Sequence, residues 1–69
     1  MKTLSAVVLQ EGKWFVAECP EVGTVSQGNT LVEAVANLRE ATEVYLEEFP
    51  LDHEVSRPVL TTFEVAEHV

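Results

Sequence analysis

Basic residues are scarce in this chain: four Lys and Arg stand against twelve Asp and Glu, for a formal charge of -8 over 69 residues. Affinity for nucleic acid rests largely on cations that neutralise phosphates. Lys2, Lys13, Arg39 and Arg57 stand singly rather than as a patch, so direct binding of DNA or RNA by this chain alone is not expected. Cysteine is scarcer still. Cys19 is alone, which excludes an intrachain disulfide, and no Cys/His cluster signals a structural metal. No apolar run reaches the ~18 residues of a membrane span. The opening MKTLSAVVLQ is too short in its apolar part for a secretory signal and has no convincing cleavage site. A cytoplasmic protein without cofactor is the expectation. One domain over residues 1–69 is expected from the length, and a domain this small buries only about 60% of its unfolded surface. With disulfide and metal set aside, oligomerisation is the remaining compensation.

What the chain does have is a clear order of elements. Thr3–Gln10 and Trp14–Cys19 are rich in β-branched and aromatic residues, and the intervening Glu11-Gly12 is a hairpin signal. A two-residue loop at Glu11-Gly12 would pair Leu9 with Trp14, Val8 with Phe15, Val7 with Val16 and Ala6 with Ala17. One face then carries Leu4, Ala6, Val8, Phe15, Ala17 and Cys19, and the other Ser5, Val7, Leu9, Trp14, Val16 and Glu18. A three-residue loop would exchange the faces of the first strand. In either case both faces are apolar, which is unusual for a sheet with one side in water.

Pro20 and Gly23 bound a loop, and Val25-Ser26-Gln27 is a short strand ended by Gly28. Thr30 and Glu33 form a capping box, in which the Thr30 hydroxyl accepts from the Glu33 amide and the Glu33 carboxylate returns to the Thr30 amide. The helix is expected from Leu31 to about Phe49, before Pro50. Spacing places Leu31, Ala34, Val35, Leu38, Ala41, Thr42, Tyr45 and Phe49 on one stripe, with Glu33, Glu40, Glu43 and Glu47 opposite. Leu51–Arg57 reads as a polar connection, and Pro58–Val69 as a last strand with Val59, Thr61, Phe63 and Val65 on one side. The expected class is α+β, β-β-β-α-β: an antiparallel sheet with one helix on one face. The uncovered apolar face suits self-association through Val7, Leu9, Trp14 and Val16.

No residue set assembles convincing catalysis. Gly23 to Thr30 nearly matches a phosphate-cradling loop, but Asn29 occupies the place of the lysine that reaches the phosphates; a turn followed by a helix cap uses the same glycines. Cys19 with His53 or His68 as base would be a nucleophile, whereas a lone Cys in an apolar strand is ordinarily a small core residue. The helix carboxylates Glu33, Glu40, Glu43 and Glu47 face one way, as a solvated face or a contact surface for a basic partner does. Glu47 and Glu48 oppose the helix dipole in the last turn, where local stability gives no reason for them and a partner's Lys or Arg would.

Several of these residues together carry a resemblance. Phe15-Val16-Ala17, Cys19-Pro20-Glu21, Ser26-Gln27-Gly28, Thr30, Glu33-Ala34, Asn37 and Glu40-Ala41 resemble the HicB-like antitoxin family over roughly residues 4–49. The loop between Pro20 and Gln27 is shorter than the family's usual pattern, and Asn29 replaces a more common Asp. The resemblance implies a partial RNase H-like fold without the catalytic acids, and dimers or higher oligomers. It also implies neutralisation of a small basic HicA-type toxin, an mRNA-cleaving ribonuclease. Longer members carry a C-terminal DNA-binding domain; none is read in this sequence, so operator binding is not expected of it. The expected function is thus a non-enzymatic antitoxin of a type II toxin–antitoxin pair, docking on the toxin through Glu40, Glu43, Glu47 and Glu48. The alternative is an orphan RNase H-like domain with a residual enzymatic or small-ligand role.

Overall fold

The computed structural model describes residues 2–51 and 57–68. Strands β1 (Val7–Glu11), β2 (Trp14–Cys19) and β3 (Thr24–Gly28) are followed by helix α1 (Leu31–Glu48). The strands form an antiparallel sheet in the order β1-β2-β3, and the class is α+β, as expected.

The first hairpin turns one residue later than expected. Glu11 pairs with Trp14, Leu9 with Val16 and Val8 with Ala17, so Gly12-Lys13 is the two-residue loop. Gly12 has φ +62°, and no described non-glycine residue has positive φ, which is the pattern of a type II′ turn with glycine at its first central position. A loop at Glu11-Gly12 would have put Glu11 at that position, where a side chain is strained. The pairing therefore moves by two residues, and because side chains alternate with period two the faces are unchanged. Leu4, Val8, Phe15, Ala17 and Cys19 point to the core; Val7, Leu9, Trp14 and Glu18 are on the exposed side. β1 also starts later than Thr3. Ahead of it the Ser5 amide donates to both Glu21 carboxylate oxygens, at 3.0 and 2.9 Å, which ties the N-terminal segment to the β2–β3 loop.

Helix α1 starts where its capping signal is. Thr30 Oγ1 accepts from the Glu33 amide at 3.0 Å, but the Glu33 carboxylate returns to the Asn29 amide, at 3.1 Å, rather than to that of Thr30. Phe49 closes the helix, its amide donating to the Tyr45 carbonyl at 2.9 Å, and Pro50 follows. The buried line is Ala34, Leu38 and Thr42. Leu31, Val35, Tyr45 and Phe49 from the expected stripe lie 36–57% exposed at its margins. The reason is width: α1 lies over β3 and β2 and touches β1 only slightly, so a stripe one side chain wide finds sheet beneath it. Tyr45 and Phe49 pack on each other instead, ring centroids 4.9 Å apart. The Thr42 hydroxyl, buried, is satisfied by that of Thr24 at 2.6 Å. Fully enclosed apolar residues are small (Ala17, Cys19 and Ala34) apart from Leu38.

The expected last strand is not formed. Residues 57–68 belong to no strand, and Val59, Leu60, Phe63 and Val65 are 74–93% exposed; Val69 lies outside the described residues. Strand-like sequence does not make a strand until it lies against an edge, because its amides and carbonyls need partners, and this segment pairs with neither outer edge of the sheet, β1 or β3. The expected connection 51–57 lies largely outside the described residues as well. With the C-terminal segment standing off the body, the Cα radius of gyration is 14.3 Å, against roughly 11 Å for a compact chain of this length.

Candidate functional site

The chemistries considered from sequence do not come together as sites. Gly23, at φ +95°, closes the β2–β3 turn through its amide bond to the Cys19 carbonyl at 2.7 Å. Gly28 is buried where β3 meets the first turn of α1. Both glycines of the phosphate-loop look-alike thus serve the turn and the helix junction. Cys19 is 2% exposed in the core. Burial pushes its thiol above the ordinary 9.0, and the Glu21 carboxylate, which accepts from Sγ at 3.5 Å, adds to this against an opposing Val22 amide. A thiol held protonated is a poor nucleophile. Partial burial, the largest single effect, pushes Glu21 up, but the hydrogen bonds from Ser5, from its own amide and from the Cys19 thiol together outweigh it, and its carboxyl lies below the ordinary 4.5. His68 is exposed in the C-terminal segment, and His53 lies outside the described residues. Among the described residues no group of three or more His, Cys, Asp or Glu is placed to hold a metal ion, and no helix is long and apolar enough to cross a membrane.

Three surfaces remain. The first is the outer side of α1, where Glu40, Glu43 and Glu47 are exposed, with Glu48 on the adjoining flank. Arg39 is the cation beside them, 3.5 Å from the Glu43 carboxylate with both side chains open to water, a pair of little energetic weight. No basic residue lies in the last turn. In the middle of this surface is a residue that the sequence reading passed over. Val44 is 59% exposed, and its helical neighbours at three and four positions include Glu40, Glu47 and Glu48. An apolar side chain ringed by carboxylates has the layout of an interface anchor inside a polar rim. The signal was legible as a valine out of phase with the apolar stripe.

The second surface is the outer face of the sheet. The structure brings Val7, Leu9, Trp14 and Val16 together there, as expected, and adds Val25; Trp14 is 50% and Leu9 60% exposed. Glu18 sits among them, between Val7 and Val25 across the strands. The third is a groove of about 540 Å³ between the N-terminal segment and the β1-side flank of α1, lined by residues 2–6, Cys19 and, on the helix, Val35, Leu38, Thr42 and Leu46, with Arg39 and Glu43 at its rim. It exists because α1 does not extend over β1, and no sequence pattern marks it.

No family model, curated protein or solved structure matches this chain. The resemblance to HicB-like antitoxins rests on its motif residues alone.

Proposed function

We propose that the chain is a binding protein that acts without catalysis, an antitoxin that docks on a small basic HicA-type ribonuclease and blocks its access to RNA. The observation that carries this reading is the α1 surface, where Glu40, Glu47 and Glu48 neighbour exposed Val44, with Glu43 and its partner Arg39 alongside. A toxin that binds RNA presents a positive surface, and such a surface meets here its complement in charge together with an apolar anchor. The HicB-like motifs over residues 4–49 support the same reading.

Complementary charge acts mainly on the rate of encounter, so the test is association kinetics with the toxin across a salt series. Glu40→Lys/Glu47→Lys is the informative variant, because among the described residues neither carboxylate has a hydrogen-bond or ion-pair partner, whereas Glu43 is engaged by Arg39. Association slows by roughly tenfold or more at low salt in this variant, within the range of electrostatic steering, and the difference closes as salt rises. Rates insensitive to both salt and charge would mean that the α1 surface is merely solvated.

Self-association through the outer sheet face belongs to the same proposal. Trp14→Glu, which would bury a charge without a partner, weakens the dimer, and light scattering at high micromolar concentration reads the change. A wild-type protein that is monomeric under those conditions removes this part of the reading.

A further inference from the structure

The two outer edges of the sheet are not equivalent. Across the Gly12-Lys13 loop, Glu11 pairs with Trp14, and a type II′ turn bonds the carbonyl of the first to the amide of the second. Antiparallel ladders alternate bonded and unbonded pairs, so Val7, Leu9 and Glu11 bond to β2, and Val8 and Gln10 turn their amides and carbonyls outward. Among the described residues nothing pairs with that outer side of β1. The same count turns Val25 and Gln27 outward on β3. There the Asn37 side chain of α1 takes the Gln27 carbonyl at 2.9 Å. β3 thus has part of its edge occupied from the helix, whereas β1, VVLQE, has no proline, lysine or covering element to protect it.

We infer that β1 of one copy pairs antiparallel with β1 of a second copy about a two-fold axis at Leu9, joining two three-stranded sheets into one of six strands. In this register all five strand residues overlap. Val8 of each copy exchanges both backbone bonds with Gln10 of the other, and the two Leu9 side chains meet at the centre.

Charge selects a second copy as the occupant. Two chains at -8 each repel, so a self-contact must keep their carboxylates apart. The one charged residue of β1 is Glu11. In this register it faces Val7 of the other copy, and the two Glu11 lie four residues apart along the strands, about 14 Å, beyond the ~8 Å over which exposed charges act at physiological salt. The acidic helix stays clear as well, because α1 lies over β3 and β2 and touches β1 only slightly. Pairing through β3 would instead bring the two helices and their carboxylates toward each other. A two-fold contact is self-complementary, so one strand serves both copies. The edge leaves the outer sheet face open. The inference therefore goes beyond the contact through Trp14, and it does not depend on the antitoxin reading.

The test uses the full chain. In this register the two Leu9 Cα atoms are about 4.5 Å apart, within disulfide range, while the two Val7 are about 14 Å apart. Cys19 is 2% exposed, so an added surface thiol is the reactive one. After mild oxidation, Leu9→Cys gives covalent dimers on a non-reducing gel and Val7→Cys gives far fewer. Adding Gln10→Pro, which removes an outward amide and no bond to β2, abolishes the Leu9→Cys crosslink. In the otherwise unmodified chain, Gln10→Pro raises the dimer dissociation constant at least tenfold by light scattering, with circular dichroism confirming that it folds. No crosslink from Leu9→Cys would overturn the proposal, and one that survives Gln10→Pro would assign the contact to the sheet face instead. Hydrogen exchange of the wild type reads the edge without any substitution. The Val8 and Gln10 amides exchange at least tenfold faster once the protein is diluted to monomer; slow exchange in the monomer would mean that another segment of the chain holds this edge, and would overturn the pairing.

Discussion

Leu38→Ala removes about 2–5 kcal/mol of stability, the range for truncating a buried leucine. Leu38 is 4% exposed and is the one large aliphatic side chain in the enclosed core with Ala17, Cys19 and Ala34. A domain of this size has roughly 3–10 kcal/mol in all, so the variant sits near or beyond the edge of folding. The lower half of the range is expected when the groove is empty, because the space vacated by Leu38 is then continuous with the groove and water can enter it. Urea denaturation followed by Trp14 fluorescence measures the difference. Val35→Ala is the control: Val35 lies on the same flank but is 36% exposed, and its loss costs under ~1.5 kcal/mol. Equal effects of the two substitutions would mean that Leu38 is not the centre of the core.

Gly28→Ala lowers stability by about 1–3 kcal/mol, the usual cost of forcing extra volume into a packed site. A Cβ at Gly28 would stand 2.6 Å from the Ala34 amide nitrogen, 2.9 Å from the Glu33 carbonyl carbon and 3.0 Å from the Ala34 Cα. All three atoms are helix backbone, so the first turn of α1 must move away from β3. The loss of unfolded-chain entropy that favours alanine, ~0.4–1 kcal/mol, offsets only part of this. Thermal unfolding checks the outcome: at roughly 4–8 °C per kcal/mol for a domain of this size, the midpoint falls by at least several degrees. An unchanged midpoint would show that helix and strand separate there at no cost. The displaced turn carries the Thr30–Glu33 cap, so helix content measured by circular dichroism should fall alongside.

Much of this architecture is legible in the chain because the signals are local. Trp14–Cys19 is a strand at its expected limits, and the Thr30–Glu33 pair and Pro50 set the ends of α1 to within a residue. The inward and outward faces of the hairpin also follow from alternation, and they survive a turn placed one residue late because the pairing moves by an even number. Glu40, Glu43 and Glu47 are recognisable as an exposed set from helical periodicity alone. Val44 was equally available to that periodicity, as a valine on the wrong side of the helix.

Other features depend on what lies across space. Which stripe residues are buried depends on the width of sheet beneath the helix: Ala34, Leu38 and Thr42 are covered, whereas Leu31, Tyr45 and Phe49 are not. That Gly28 is a packing glycine rather than part of a phosphate loop follows from how closely β3 approaches α1. Pro58–Val69 shows the limit most plainly, since alternating apolar residues give a segment the capacity for strand pairing without placing it against an edge. The sequence by itself determined the order of the elements, their faces and the sign of the surface charge, all set by neighbours along the chain and by composition. Only the tertiary structure decided where the helix sits across the sheet, the groove this leaves beside β1 and the exposure of the C-terminal segment, because these depend on contacts between residues far apart in sequence.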